Sequence, residues 1–405
     1  MSEPQSLAAT PPTGIKIDLD ISRALVLLMA ISVGLAVASI YYSQPMLGAL
    51  ASQMQVSESG IGWVPTITQI GYALGILLLA PLGDRFDRKQ IILLKGVLLA
   101  LALFAFGAGM QLSHLLLASF VIGMAATMAQ DIVPAAATLA PEAKKGQVVG
   151  TVMTGLLLGI LLSRVVSGFI ADYLGWRYVF IAAGVAMSLV VVAIAKGLPS
   201  FKPTSQLSYA KLLMSLLHLL KQYPSLSAAA LTQGLLSAGF SGFWSTLAVM
   251  LHGAPFHFGS AIAGAFGLAG AAGALAAPIA GKLADRSGPQ KVTEVGAILT
   301  AISFIFMMGS VFVSPAIALW ILVIGAVGFD MGVQVTMIGH QSIVYRLDAR
   351  ARSRLNAVLL TGMFIGMSAG AAIGAYLLGH FGWLAVTIFG AICGGLAWLV
   401  RLRQR

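Results

Sequence analysis

Two charged residues stand where the chain otherwise avoids charge. Asp330, in Gly328-Phe329-Asp330-Met331-Gly332, and Arg164, in Leu161-Leu162-Ser163-Arg164, lie inside long apolar runs. If those runs cross a bilayer, each charge costs about 2.5–3.5 kcal/mol on insertion scales, which makes each a candidate for chemistry. A carboxyl at such depth exchanges its proton according to which side of the membrane reaches it, so Asp330 is expected to be a proton-coupling acid. The plainer alternative is a structural carboxyl held by a neighbouring hydroxyl or glutamine. Arg164 cannot shed its charge. It is expected to clamp a carboxylate or an anionic substrate, or else to be a fixed counter-ion for packing. At 1.5 Å rise per residue the two backbones are offset by roughly 10 Å, so a direct pair needs an extended arginine.

Other polar residues in apolar runs extend the set. Asp131, beside Gln130, is a second proton site or a gate, unless its place near the membrane surface leaves it simply hydrated. Gln334 follows Asp330 by one turn, and His340-Gln341 ends the same run. His340 titrates near neutrality if wet, but a lone histidine also serves as an interfacial hydrogen-bonder. Tyr41, Tyr42 and Gln44 in one run and Phe243 and Trp244 in another suit an amphipathic binding pocket, with an aromatic belt at the membrane surface as the competing reading. No phosphate-cradling loop, metal-ligand spacing or nucleophile triad is seen, so an enzyme and a cofactor are not expected. The single cysteine, Cys393, excludes an intramolecular disulfide.

The elements that must position these residues are apolar helices. The 405 residues are 59% hydrophobic and 9% charged, against about 25% charged in ordinary soluble domains. Spans of about 20 residues fit at 23–46, 59–81, 90–110, 114–137, 147–171, 176–196, 225–250, 258–281, 291–312, 315–339, 355–378 and 382–401. The expected fold is thus an all-α membrane protein of twelve transmembrane helices in two six-helix bundles. The organisation reads as a tail (1–22), an N-terminal bundle (23–196), a linker (197–223) and a C-terminal bundle with a short basic tail (224–405). Within the linker, Leu212, Leu213, Leu216, Leu217 and Leu220 at helical spacing suggest a helix lying on the membrane surface, or otherwise a solvated linker.

The net charge of +11 invites a nucleic-acid reading that its distribution opposes. Lys and Arg gather at alternate loops, as at Arg85-Arg88-Lys89, Lys144-Lys145 and Arg346 to Arg354, and the intervening loops are nearly bare. That is the positive-inside pattern, which puts both termini in the cytoplasm.

The chain repeats itself. Leu82-Gly83-Asp84-Arg85 recurs as Leu283-Ala284-Asp285-Arg286 after 201 positions, and Tyr41-Tyr42-Ser43 is echoed by Phe243-Trp244-Ser245 after 202. Thr154-Gly155, Gly159 and Gly175-Trp176 recur as Thr361-Gly362, Gly366 and Gly382-Trp383 after 207. A duplicated six-helix unit points to transport by alternating access around a site between the halves.

With these residues in place, the sequence resembles the major facilitator superfamily along essentially its whole length. The family pattern G-x-L-x-D-R-x-G-R-[RK] reads here Ala80-Pro81-Leu82-Gly83-Asp84-Arg85-Phe86-Asp87-Arg88-Lys89; its second copy keeps Gly281, Leu283, Asp285, Arg286 and Gly288. The resemblance implies that Asp84, Arg85, Arg88, Lys89, Asp285 and Arg286 form a cytoplasmic gate motif, the plainer alternative being that the positive charge there only sets topology. Tyr41-Tyr42-Ser43-Gln44-Pro45-Met46-Leu47 and Gln130-Asp131-Ile132-Val133-Pro134 are similar to patterns of bacterial twelve-span drug:proton antiporter-like exporters. The chain departs from them at Ser119, where an arginine is usual, and at Ile160 and Arg164, where a proline and a glycine are. The resemblance implies a monomeric exporter of small amphipathic molecules in a bacterial inner membrane, driven by protons. The alternatives are a symporter or uniporter for one metabolite such as a sugar or organic acid and, more distantly, a non-transporting sensor or scaffold.

Overall fold

A computed structural model describes residues 21–203, 208–270, 288–348 and 351–404 of the chain. The described residues are almost wholly helical, with no strand among them. Nine of their helices are long and apolar enough to cross a membrane: Glu58–Leu79, Arg88–Ala108, Leu112–Leu139, Glu142–Tyr173, Trp176–Gly197, Pro224–His252, Pro289–Phe312, Pro315–Tyr345 and Arg352–Leu402. The last is two helices meeting at Gly382, where the backbone leaves the helical region. With the shorter apolar helices Arg23–Ala38 and Ser260–Ala269, the described elements are consistent with twelve segments.

The repeat has a physical basis in helix contact. In the first half Gly34 faces Gly155 and Gly159, bringing the first and fifth segments backbone to backbone; a Cβ on any of the three would run into the partner's main chain. In the second half Gly234 meets Gly362 and Gly366 in the same way between the seventh and eleventh segments. Small residues allow this approach, and without a hydrophobic drive between helices in lipid it is what holds them together. Gly175 and Gly382, the repeated corner glycines, both have positive φ (99° and 75°). That region is open to glycine at little cost and lets one helix stop and the next begin at once.

The first segment is not one helix as the apolar run suggests. Helix Arg23–Ala38 stops, Gln44–Met46 forms a tight 3₁₀ turn, and Leu47–Met54 resumes. Pro45, at the start of that turn, has no N–H to give the Tyr41 carbonyl, so a regular helix cannot be resumed across it before Leu47. Tyr41 and Gln44 therefore sit on irregular backbone, buried (5% and 1% exposed) rather than at a helix surface.

At the end remote from Arg23 the halves touch. Gly62 and Gly379 pack against Ala375 and Ser59 respectively, joining the second and eleventh segments. Gly168 and Gly264 join the fifth and eighth, and Asp172 Oδ1 accepts the Ser260 N–H at 3.1 Å. At the opposite end, helix Tyr209–Gln222 buries Leu212, Leu216 and Leu219 and leaves Met214 and Leu217 exposed. It is tied to the bundle by the Tyr209 hydroxyl, which donates to the Leu78 carbonyl at 2.8 Å.

Candidate functional site

Arg164 and Asp330 are almost fully buried, 3% and 7% exposed, and both line one cavity between the halves. The fifth segment supplies Arg164 and the tenth Asp330. Arg164 Nε donates to Gln44 Oε1 at 2.8 Å. Its guanidinium carbon lies 4.6 Å from the ring centre of Tyr41, 4.5 Å from that of Trp244 and 5.8 Å from that of Phe240. A cation over aromatic faces at these distances is attracted by their quadrupoles, the more so when desolvated. The arginine is thus wrapped by the broken first segment on one side and the seventh helix on the other.

Arg164 and Asp330 form no direct ion pair within 4.0 Å, among the described residues. Trp244 stands between them: its indole N–H donates to Asp330 Oδ1 at 3.3 Å while its ring faces the arginine. Glycines make the room. A Cβ on Gly267 would strike the Arg164 side chain, and one on Gly270 would strike Asp330 Oδ2. One indole thus contacts both the carboxyl and the guanidinium, in a cavity lined by both halves.

The cavity measures about 160 Å³. Tyr41, Arg164, Gln233, Ser237, Asp330 and Gln334 provide its polar lining, and Leu157, Ile160, Met337, Met363 and Met367 much of its apolar wall. Most of the wall lies between the middle of the segments and the end that carries Arg23 and Leu402. Phe240, Gln233 and the three methionines were not singled out from sequence; the Phe240–Trp244 spacing of one helical turn was the available signal.

The remaining candidates lie elsewhere. Phe243 is fully buried behind the site against Phe304, Phe329 and Trp383, and Tyr42 sits edge-on to Phe180. His340, with no exposed surface, does not line the cavity; its Nδ1 pairs with Gln233 Oε1 at 3.0 Å, so it reaches the wall only through that glutamine. Gln341 is bonded to Asn356 at 3.4 Å.

Asp131 belongs to a second buried centre. Its Oδ2 lies 2.6 Å from Lys95 Nζ, and both residues are 3% exposed, so it is not a hydrated surface carboxyl. Lys95 is absent from the candidates above, although the same test, a charge inside an apolar run, selects it. Gly83 packs on Asp131 Oδ1 with Arg88 alongside, and Gln130 donates to the Tyr72 hydroxyl at 3.1 Å. Asp87, at a family glycine position, caps the third segment: its Oδ1 accepts from the Lys89 N–H at 2.9 Å and from the Phe201 N–H of the linker at 2.9 Å. Arg85 lies over the Phe86 ring. The Asp84 side chain, Asp285 and Arg286 lie outside the described residues.

Comparison with known proteins follows the same lines. A model described as Major Facilitator Superfamily matches residues 29–346 and 229–405. The "Uncharacterized transporter YgaY" of Escherichia coli O157:H7 is 40% identical over 92% of this chain and 93% of its own. "Multidrug resistance protein MdtG" of Klebsiella pneumoniae is 26% identical over 80% of this chain and 78% of its own. Among solved structures, a bacterial homologue of the human lysosomal transporter Spinster, in an inward-facing and unoccupied conformation, superposes with a TM-score of 0.74 at 15% identity over 94% of this chain and 98% of that one.

Proposed function

The chain belongs to the major facilitator superfamily, and from that premise we propose that it is a proton-coupled secondary transporter exporting small amphipathic molecules by antiport. Asp330 is the group that takes and gives the proton. The observation that carries this reading is a carboxyl buried in the cavity between the halves, one indole away from a fixed cation. Moving one charge through a 100 mV potential is worth about 2.3 kcal/mol, so one titrating carboxyl is sufficient to drive accumulation. A wall of Met337, Met363, Met367, Leu157 and Ile160 suits cargo of varied shape, because methionine adapts to irregular partners. The family implies a multi-pass protein, and the relatives support a bacterial inner membrane. The MdtG relative's name, "Multidrug resistance protein", is compatible with drug-like cargo.

One observation favours a second reading, co-transport of an organic acid with protons. Two of the Arg164 guanidinium nitrogens have no acceptor among the described residues.

Purified protein in liposomes carrying an internal pH dye tests both. Export by antiport predicts that adding a transported amphipathic compound dissipates an imposed pH gradient by counterflow, whereas co-transport predicts proton movement with the compound. In either case Asp330→Asn uncouples the two fluxes while still exchanging cargo. If the variant couples protons as wild type does, Asp330 is not the coupling group.

A further inference from the structure

Arg164 is a buried cation whose hydrogen-bonding capacity is largely unspent. Nε is satisfied by Gln44, but Nη2 is buried with no acceptor and Nη1 makes no hydrogen bond, among the described residues. The groups nearest to it do not finish the task. Tyr41, Phe240 and Trp244 offer ring faces, Asp330 is separated by the indole, and the Gln44 oxygen accepts from Nε and from neither Nη. The amide nitrogens of Gln44 and Gln233 are themselves buried donors without acceptors; the Gln233 oxygen is taken by His340. Around the guanidinium, unspent donors therefore outnumber the acceptors that reach it, while the acceptor oxygens of Asp330, Ser237 and Gln334 lie elsewhere on the cavity wall. A buried donor without an acceptor bears its full desolvation penalty, and a charged one bears more. The partner that relieves this best is a planar oxyanion, whose two oxygens match the guanidinium fork.

Size narrows the choice. The cavity is about 160 Å³, and an apolar cavity of about 150 Å³ accepts benzene. We propose that the cargo is a small monocarboxylate, its carboxylate on the outer edge of Arg164 and a compact apolar body against Met337, Met363 and Met367. The proposal rests on the reading of this cavity as the transport site, and not on the direction in which protons move.

The test is binding to the full chain purified in detergent, with no gradient present. Benzoate and hexanoate are titrated calorimetrically and by thermal unfolding, against benzamide, hexanamide and hexylammonium. The acids are expected to bind at least about tenfold more tightly than their amides, and the ammonium not at all. Arg164→Gln is expected to lose that preference; Arg164→Lys, which keeps the charge without the fork, is expected to keep part of it. The acid-versus-amide comparison needs no variant, so a poorly folding arginine mutant leaves the test intact. Amides binding as well as acids, a preference for the ammonium, no binding by either acid, or an undiminished preference in Arg164→Gln each overturns the proposal. Carboxylate binding through Arg164 without proton-driven flux would leave this inference standing and remove the proton-coupled reading; proton-driven flux of neutral or cationic cargo alone would do the reverse.

Discussion

Lys95 Nζ and Asp131 Oδ2 lie 2.6 Å apart in a place where each is 3% exposed, linking the third and fourth segments inside one half. Removing one partner of a buried pair costs about 3–5 kcal/mol, whereas replacing both by neutral groups costs far less. Lys95→Met and Asp131→Asn are each expected to lower the unfolding midpoint in detergent, and the double variant to lose less than the sum. Strict additivity in that cycle would mean that the two charges do not support one another.

The indole of Trp244 serves Arg164 with its face and Asp330 with its N–H. Trp244→Phe keeps a face and discards the donor; Trp244→Leu discards both. The leucine variant is expected to be the less stable of the two by about 0.5–2 kcal/mol, the range of a cation over an aromatic ring. Both are expected to impair proton coupling more than cargo binding, as measured by paired flux and titration experiments.

For a carboxylate cargo the sign of linkage with Asp330 follows from Coulomb's law, and it is that of the co-transport reading rather than of antiport. An ionised Asp330 competes with a carboxylate for the field of Arg164, so Asp330→Asn should bind benzoate at least as tightly as wild type at neutral pH. Linkage is reciprocal: a cargo that binds better when Asp330 is neutral travels with the proton, and one that binds better when it is ionised travels against it. Benzoate affinity measured between pH 5 and pH 8 in wild type reads this sign directly. A flat profile that stays flat in Asp330→Asn would separate the carboxyl from cargo binding.

The contact between Ser59 and Gly379 allows the far-end closure to be trapped. A Cβ at Gly379 would lie 3.8 Å from that of Ser59, the mean separation in disulfides being about 3.8 Å. In a Cys393→Ala background, Ser59→Cys with Gly379→Cys should cross-link on mild oxidation. Transport should stop, and return with reductant. Unaltered transport in the cross-linked protein would show that this contact need not open.

Helix contact through glycine makes a sharp contrast between neighbours. A Cβ at Gly155 would enter the Ala30 main chain, whereas Gly150, five residues earlier, has open space around it. Gly155→Val is expected to abolish monodisperse expression or lower the unfolding midpoint by several degrees; Gly150→Val should be close to neutral. Equal effects would argue against close packing of the first and fifth segments.

Much of this architecture was legible in the residues. Apolar run lengths mark the segments, and the glycines that recur after 207 positions, Gly155/Gly362 and Gly159/Gly366, are the ones that seat paired helices. Asp330 and Arg164 were legible because charge in an apolar run is costly wherever it occurs. Their connection was not. Whether Trp244 faces Asp330, 86 residues away, or a neighbouring helix depends on how each helix is rotated, which hydropathy does not encode. Helix rotation also decides that Phe243 turns to the core and Phe240 to the cavity. The break after Ala38 lies inside a continuous apolar run, and Pro45 marks only the turn that follows it.

That break has a mechanical consequence. Helix Arg23–Ala38 is seated on the fifth segment through Gly34, but Leu47–Met54, beyond the break, is seated on the seventh: Gly48 packs under His252, and Ser52 Oγ lies 3.4 Å from His252 Nε2. One segment is therefore riveted to both halves, and the stretch with Tyr41 and Gln44 is the knuckle joining the two attachments. Any parting of the halves at the far end must flex that knuckle or shear Leu47–Met54 off its seat. Two of the side chains that cradle the guanidinium ride on the joint, so the far-end closure and the grip on Arg164 turn on one pivot.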